Sequence, residues 1–306
     1  MRARSRTTVL LLTAALGAAL VSGPGSAAAT PARDPGAPPP TAGSQPQRTL
    51  LPTVREAADG LPGHTVYRPA DLADLPRRSL PVVVYGNGAC ATSNLSAITF
   101  LTGLASQGYV VVANGALGEF PVPSTPETTT ARPEALVSAA QWAIGSKAAR
   151  KQFGGRVDAT RVGVLGHSCG GVEALAAGTD PIFGAVAGFN TGYSPEPRFG
   201  GYGRDLLADL HSPVLLVDGG PTDVAYQNTI DNYALLDVPA VRASNATAGH
   251  GGLVSGSQAT TGWQVAADWF DHVLREDPTA GERFTGAECG LCTTDGWTVE
   301  TTGFPL

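Results

Sequence analysis

Short, uninterrupted apolar runs alternating with helix-length segments restrict the folds open to this chain more than any other feature. Val82, Val83 and Val84 lead through Tyr85 to Gly86, and 109–113, 161–165, 183–189, 213–217 and 241–244 repeat the theme. Runs of this length without polar alternation belong to strands buried on both faces. Between them, 94–106, 133–149, 172–177 and 224–236 read as helices, and 260–274 reads as a last, amphipathic one. Pro133 and Glu134 suit a first helical turn. Strands separated by helices predict an α/β fold, with a mostly parallel central sheet and helices on both of its faces.

The N-terminus stands apart from this pattern. Arg2, Arg4 and Arg6 precede an apolar run from Val9 to Val21, and small residues follow, ending in Ala27, Ala28 and Ala29. A basic start, a short apolar stretch and a small-residue site form a secretory signal peptide, expected over 1–29. The run is short for a membrane span, so no stable membrane anchor is expected. Cleavage near Ala29 would remove three arginines and no acid, taking the formal charge from -6 to -9. The proline-rich stretch 30–47 reads as an extended, disordered linker. The α/β domain is expected over 48–276, and 277–306 as a cysteine-containing tail packed on it through Phe284, Trp297 and Phe304. With 20 Lys+Arg against 26 Asp+Glu, the chain lacks the basic balance of a nucleic-acid partner.

Gly166-His167-Ser168-Cys169-Gly170 fits the G-x-S-x-G pattern. Thirty-nine glycines make such a match cheap, so its value lies in context. It follows the run 161–165 and opens a helix, and a turn that sharp lifts a serine hydroxyl above the sheet edge. Serine needs a base to become nucleophilic. Of the five histidines, His167 lies inside the turn and is expected to point away. His272 falls in the last helix, His64 precedes the sheet core, and His211 abuts a strand. His250 sits in a glycine-rich loop between the last strand and the last helix, and is the expected base. A carboxylate must orient it. Asp218 closes a strand, where a bond to loop amides is the simpler reading, so Asp223 in the loop beyond is favoured. Two backbone N–H groups should receive a developing oxyanion. Cys169 supplies one, and the turn Gly86-Asn87-Gly88-Ala89-Cys90 the other, from Ala89 first and Asn87 second.

With these motifs in order, the chain resembles the α/β-hydrolase superfamily. Within it, the chain resembles the secreted branch of chlorophyllase-like, dienelactone-hydrolase-like and polyester-hydrolase (cutinase-like) enzymes. The resemblance rests on 85–90, 166–171, 219–226 and 249–252. It implies an α/β-hydrolase fold and hydrolysis of a carboxylic ester, small or polymeric, through an acyl-serine, with no cofactor and no metal, by a monomer. An acyltransferase with the same three residues, a binding protein on this scaffold and a redox C-x-x-C protein are the rival readings. On this fold Cys90 and Cys169 flank the two expected oxyanion donors and become neighbours, so a bridge between them is expected. Cys289 and Cys292 would close a local disulfide. Secretion favours both bridges. Asn87, Phe120, Tyr193 and Phe199 are expected to contact substrate, the last two from the segment 191–209. Asn94 and Asn245 begin N-x-[ST] acceptor patterns.

Overall fold

A computed structural model describes residues 49–118 and 130–304. The expected signal peptide, the linker and Phe120 lie outside the described residues.

The order of elements begins with β1 (Thr53–Ala57), β2 (His64–Pro69), β3 (Leu80–Gly86), α1 (Ile98–Ala105) and β4 (Val110–Asn114). There follow α2 (Pro133–Gly145), α3 (Lys147–Gln152), β5 (Val157–His167), α4 (Cys169–Ala177), β6 (Ala185–Phe189) and β7 (Val214–Asp218). The chain continues through α5 (Tyr226–Tyr233), β8 (Ala240–Asn245), α6 (Ala259–Leu274), α7 (Pro278–Gly281) and β9 (Trp297–Thr302). The strands form a nine-stranded sheet in the order β1-β2-β4-β3-β5-β6-β7-β8-β9. From β4 to β8 every pairing is parallel, while β1, β2 and β9 pair antiparallel at the margins. This is the α/β-hydrolase fold.

Strand side chains alternate between faces, so each central strand feeds two cores. Val83, Tyr85, Val111, Leu165, Phe189, Leu215 and Val217 pack with Phe100 and Leu101 of α1 and with Trp269 and Phe270 of α6. Val82, Val84, Val110, Val112, Val164, Val186 and Leu216 pack on the other face with Leu136 of α2 and Leu175 of α4. Full burial of each such side chain contributes about 1.5–3 kcal/mol. Because both faces are covered, the exposed parts of the parallel strands are their ends. The loops after β3, β5, β6, β7 and β8 therefore gather at one edge.

Two local expectations change. The helix expected over 133–149 is two helices: Ser146 is extended (φ -78°, ψ 151°), and its hydroxyl accepts the Ala149 N–H to cap α3. The tail is more than surface packing. Its final segment is β9, registered against the whole of β8, with Trp297 opposite Asn245. His64 opens the marginal strand β2, opposite Asn114, and so comes before the central strands as expected. Both acceptor patterns are also internal. Asn94 is buried and donates from Nδ2 to the Asn114 and Gly115 carbonyls, and Asn245 is buried at the end of β8. Among the described residues, no helix is long and apolar enough to cross a membrane.

Candidate active site

The turn from β5 into α4 holds Ser168 at φ 54°, ψ -120°, a region that costs an L-residue on the order of 1–3 kcal/mol. The turn is tight enough that a Cβ on Gly166 would lie 1.8 Å from the Gly170 carbonyl oxygen. Only glycine fits there. The strained residue is held by its own backbone: Ser168 N donates to the Phe189 carbonyl at 2.9 Å, and its carbonyl accepts from Gly171 N and Thr191 Oγ1. The hydroxyl stands at the N-terminus of α4, where the helix dipole favours negative charge.

Two further loops meet it. A Cβ on Gly219 would fall 1.9 Å from the Gly249 carbonyl oxygen, so the loops after β7 and β8 touch backbone to backbone. Gly249 N donates to the Gly219 carbonyl at 2.9 Å and closes that contact. The closure brings His250 Nδ1 within 2.6 Å of Asp223 Oδ1, and His250 Nε2 within 2.9 Å of Ser168 Oγ. Asp223 Oδ1 also accepts from Ala225 N, and Oδ2 from Gly219 N and Asn190 Nδ2. Burial pushes this carboxyl up, but these hydrogen bonds outweigh it and hold it down at about 2. Asp223 is thus an ionised acceptor, which places the proton of a neutral His250 on Nδ1. Nε2 is then left to accept from the serine hydroxyl.

Asn190 was not singled out from the sequence. It is fully buried, adopts φ 50° directly after β6, and donates to both Asp223 Oδ2 and the Gly249 carbonyl. Its position right after an apolar strand, and asparagine's tolerance of positive φ, were the available signals. His167 corrects an expectation. Its ring does not point away but lies 5.4 Å from that of His250 and donates from Nε2 to the His250 carbonyl at 2.8 Å. Burial lowers its pKa to about 4, so it stays neutral as it props the histidine loop. Asp218 turns toward Arg242 and Ser244 of β8 and takes no part in this cluster.

On the other side of Ser168, Gly88–Cys90 form a single 3-10 turn in which Ala89 (φ 55°) and Cys90 (φ 47°) are left-handed. Cys90 N and Ala91 N bond inside this turn, to the Asn87 and Gly88 carbonyls. A disulfide joins Cys90 to Cys169, with Cα atoms 5.2 Å apart, and so ties the turn to the residue after the serine. Asn87 differs from its expected role as a substrate contact. Its side chain is buried and donates to the Ala91 and Asn114 carbonyls, bracing the turn from behind. The second disulfide, Cys289–Cys292, closes a turn between α7 and β9.

Beside Ser168 and His250 opens a hollow of about 180 Å³. Tyr193, Phe199 and Tyr202 line it, with Val172 and Val224. Tyr193 is almost fully buried, its hydroxyl has no hydrogen-bond partner, and burial raises its pKa. Phe199 and Val224 are exposed and add apolar surface to its wall. Arg198 also lines the hollow and was not anticipated. Among the described residues, no group of three or more His, Cys, Asp or Glu is arranged to hold a metal ion.

A family model described as PET hydrolase-like matches residues 29–193, just over half of the chain. The match includes the 86–90 turn and Ser168, and ends before Asp223 and His250. No curated protein matches the chain.

Proposed function

The chain belongs to the PET hydrolase-like family of ester hydrolases, and on that premise we propose that it is a secreted serine hydrolase that cleaves carboxylic esters through an acyl-serine intermediate. The observation that carries this reading is the continuous hydrogen-bonded line Asp223–His250–Ser168, which ends at a hollow of acyl-group size. In this mechanism Ser168 Oγ attacks the ester carbonyl carbon as His250 Nε2 takes its proton. Asp223 stabilises the imidazolium that forms. The carbonyl oxygen, now negative, is received by the Cys169 and Ala89 amides, which the Cys90–Cys169 disulfide keeps at fixed separation. His250 gives its proton to the leaving alcohol, then activates a water that attacks the acyl-serine and regenerates the enzyme.

Secretion is supported by the leader pattern over 1–29 and by the two disulfides, which suit an oxidising compartment. The test is Ser168→Ala against a short-chain chromogenic ester. The variant should melt near the parent temperature and lose at least about 10⁴-fold in kcat. Undiminished turnover would overturn the reading.

A further inference from the structure

We propose that the hairpin around Arg198–Tyr202 makes the hollow select esters that carry a carboxylate, the half-esters of dicarboxylic acids. The inference rests on the serine-hydrolase reading and adds the chemistry of the substrate's far end.

Arg198 is the one residue with a permanent charge among the described lining of the hollow. No acidic residue shares that lining. Other arginines nearby are committed: Arg204 to Asp231 at 2.7 Å, and Arg242 to Asp218 at 2.8 Å and to Glu300. No carboxylate pairs with Arg198 among the described residues. The chain as a whole is acidic, with a formal charge of -6, so an anionic substrate is repelled at long range. Its capture needs a local cation, and a guanidinium offers a carboxylate a planar, two-point match.

The hairpin is also built to stay where it is. Arg198 and Tyr202 form an antiparallel bridge, and Gly201 N donates to the Arg198 carbonyl at 3.3 Å. Ala131 N donates to the Phe199 carbonyl at 3.1 Å and pins the hairpin to the segment before α2. Phe199 sits at φ 51° and is followed by Gly200 at 101° and Gly201 at 88°. A phenylalanine held in left-handed backbone with its ring exposed is a costly arrangement for a passive loop. Here it sets an aromatic wall beside the cation, matching a substrate with a carbon body and an anionic end. Such a substrate arises naturally from ester hydrolysis. Adding water across one ester bond of a diester releases one alcohol and leaves one carboxylate and one intact ester. Arg198 suits the same site to that second cut.

The experiment compares kcat/KM for a neutral diester and the half-ester of the same dicarboxylic acid, with the same leaving alcohol. It uses the whole protein and its Arg198→Gln, Arg198→Glu and Arg161→Gln variants, with melting curves for each. Arg161 is partly exposed, pairs only with Asp158 at 3.4 Å among the described ion pairs, and lies on β5 about 20 Å from the elbow, so it controls for net charge. Arg198→Gln should lower the half-ester to diester ratio roughly fivefold, and Arg198→Glu should lower it further. Moving to 0.5 M salt, where the Debye length falls to about 4 Å, should erode the parent's ratio but not that of Arg198→Gln. An oligoester with a free acid end, compared with its capped form, should follow the same order. A ratio that ignores both Arg198 substitutions, or moves as much with Arg161→Gln, would overturn the assignment while leaving the serine hydrolase intact. No turnover of either ester by the parent, or undiminished turnover of either by Ser168→Ala, would bring down the underlying reading as well.

Discussion

The two ends of the loop after β7 carry the same residue type under opposite conditions. Asp218, at the strand end, faces the guanidinium of Arg242, the hydroxyl of Ser244 and the N–H of Gly220. Arg242 continues to Glu300, so a line of charge crosses β7, β8 and β9 and secures the margin of the sheet. Asp223, at the far end, meets only neutral donors and the imidazole of His250. A full positive charge beside Asp218 consumes its negative charge locally. Neutral dipoles around Asp223 keep it ionised without cancelling it, and the charge remains available to an imidazolium. Burial is common to both, and the charge of the partner separates the Asp218 clamp from the relay proposed for Asp223.

Exchanging each carboxylate for its amide tests that difference, and the largest effect belongs to the relay. Asp223→Asn should reduce kcat by about 10⁴-fold, because the amide favours the wrong tautomer of His250. Its cost in stability should stay within about 2 kcal/mol. A loss below tenfold in steady-state ester hydrolysis would remove Asp223 from the proposed mechanism. Asp218→Asn should do the reverse. Arg242 would lose a buried partner, at a cost of about 3 kcal/mol, lowering the melting temperature by roughly 6–12 °C. Turnover per folded molecule should change less than twofold. If the two variants exchanged these outcomes in paired melting and activity assays, the clamp and relay would be misassigned.

Glu173 on α4 supplies a third condition and the smallest effect. It is buried, one carboxyl oxygen accepts from Arg132 N at 2.9 Å, and the other has no partner. Burial raises its pKa from 4.5 to about 7. A raised acid favours the protonated fold, so its contribution is complete below 4.5 and fades as pH rises through 7. Glu173→Gln removes that loss. It should gain on the order of 1–2 kcal/mol over the parent in denaturant titrations at pH 8, and much less at pH 5. Equal effects at both pH values would mean that Glu173 carries no such penalty.

The central strands were legible because strands covered on both faces must be apolar throughout, as Val82, Val83 and Val84 are. The marginal strands were not. Thr53–Ala57 and Trp297–Thr302 mix polar and apolar residues, and nothing local separates such a segment from a loop until a partner strand accepts it. The break at Ser146 was hidden inside a pattern of good helix formers. At the site, glycines marked the turns after β3, β5, β7 and β8 because close backbone approach leaves no room for a Cβ. Asn190, His167 and Arg198 left no comparable mark. Asn190 and His167 act on groups from other loops, as His167 does on the His250 carbonyl, 83 residues away, and Arg198 meets the hollow only once its hairpin is folded.

The sequence by itself determined the succession of strands and helices and the sharp turn that raises Ser168. Both follow from forces acting within a few residues: burial periodicity and the φ that glycine permits. The tertiary structure alone decided which carboxylate faces Arg242 and which faces His250. It also turned Asn87 inward to brace the turn and brought a cation to the hollow. Those outcomes depend on strand register and on loops meeting across a sheet edge. That geometry is set by packing the whole core, and no local stretch of residues encodes it.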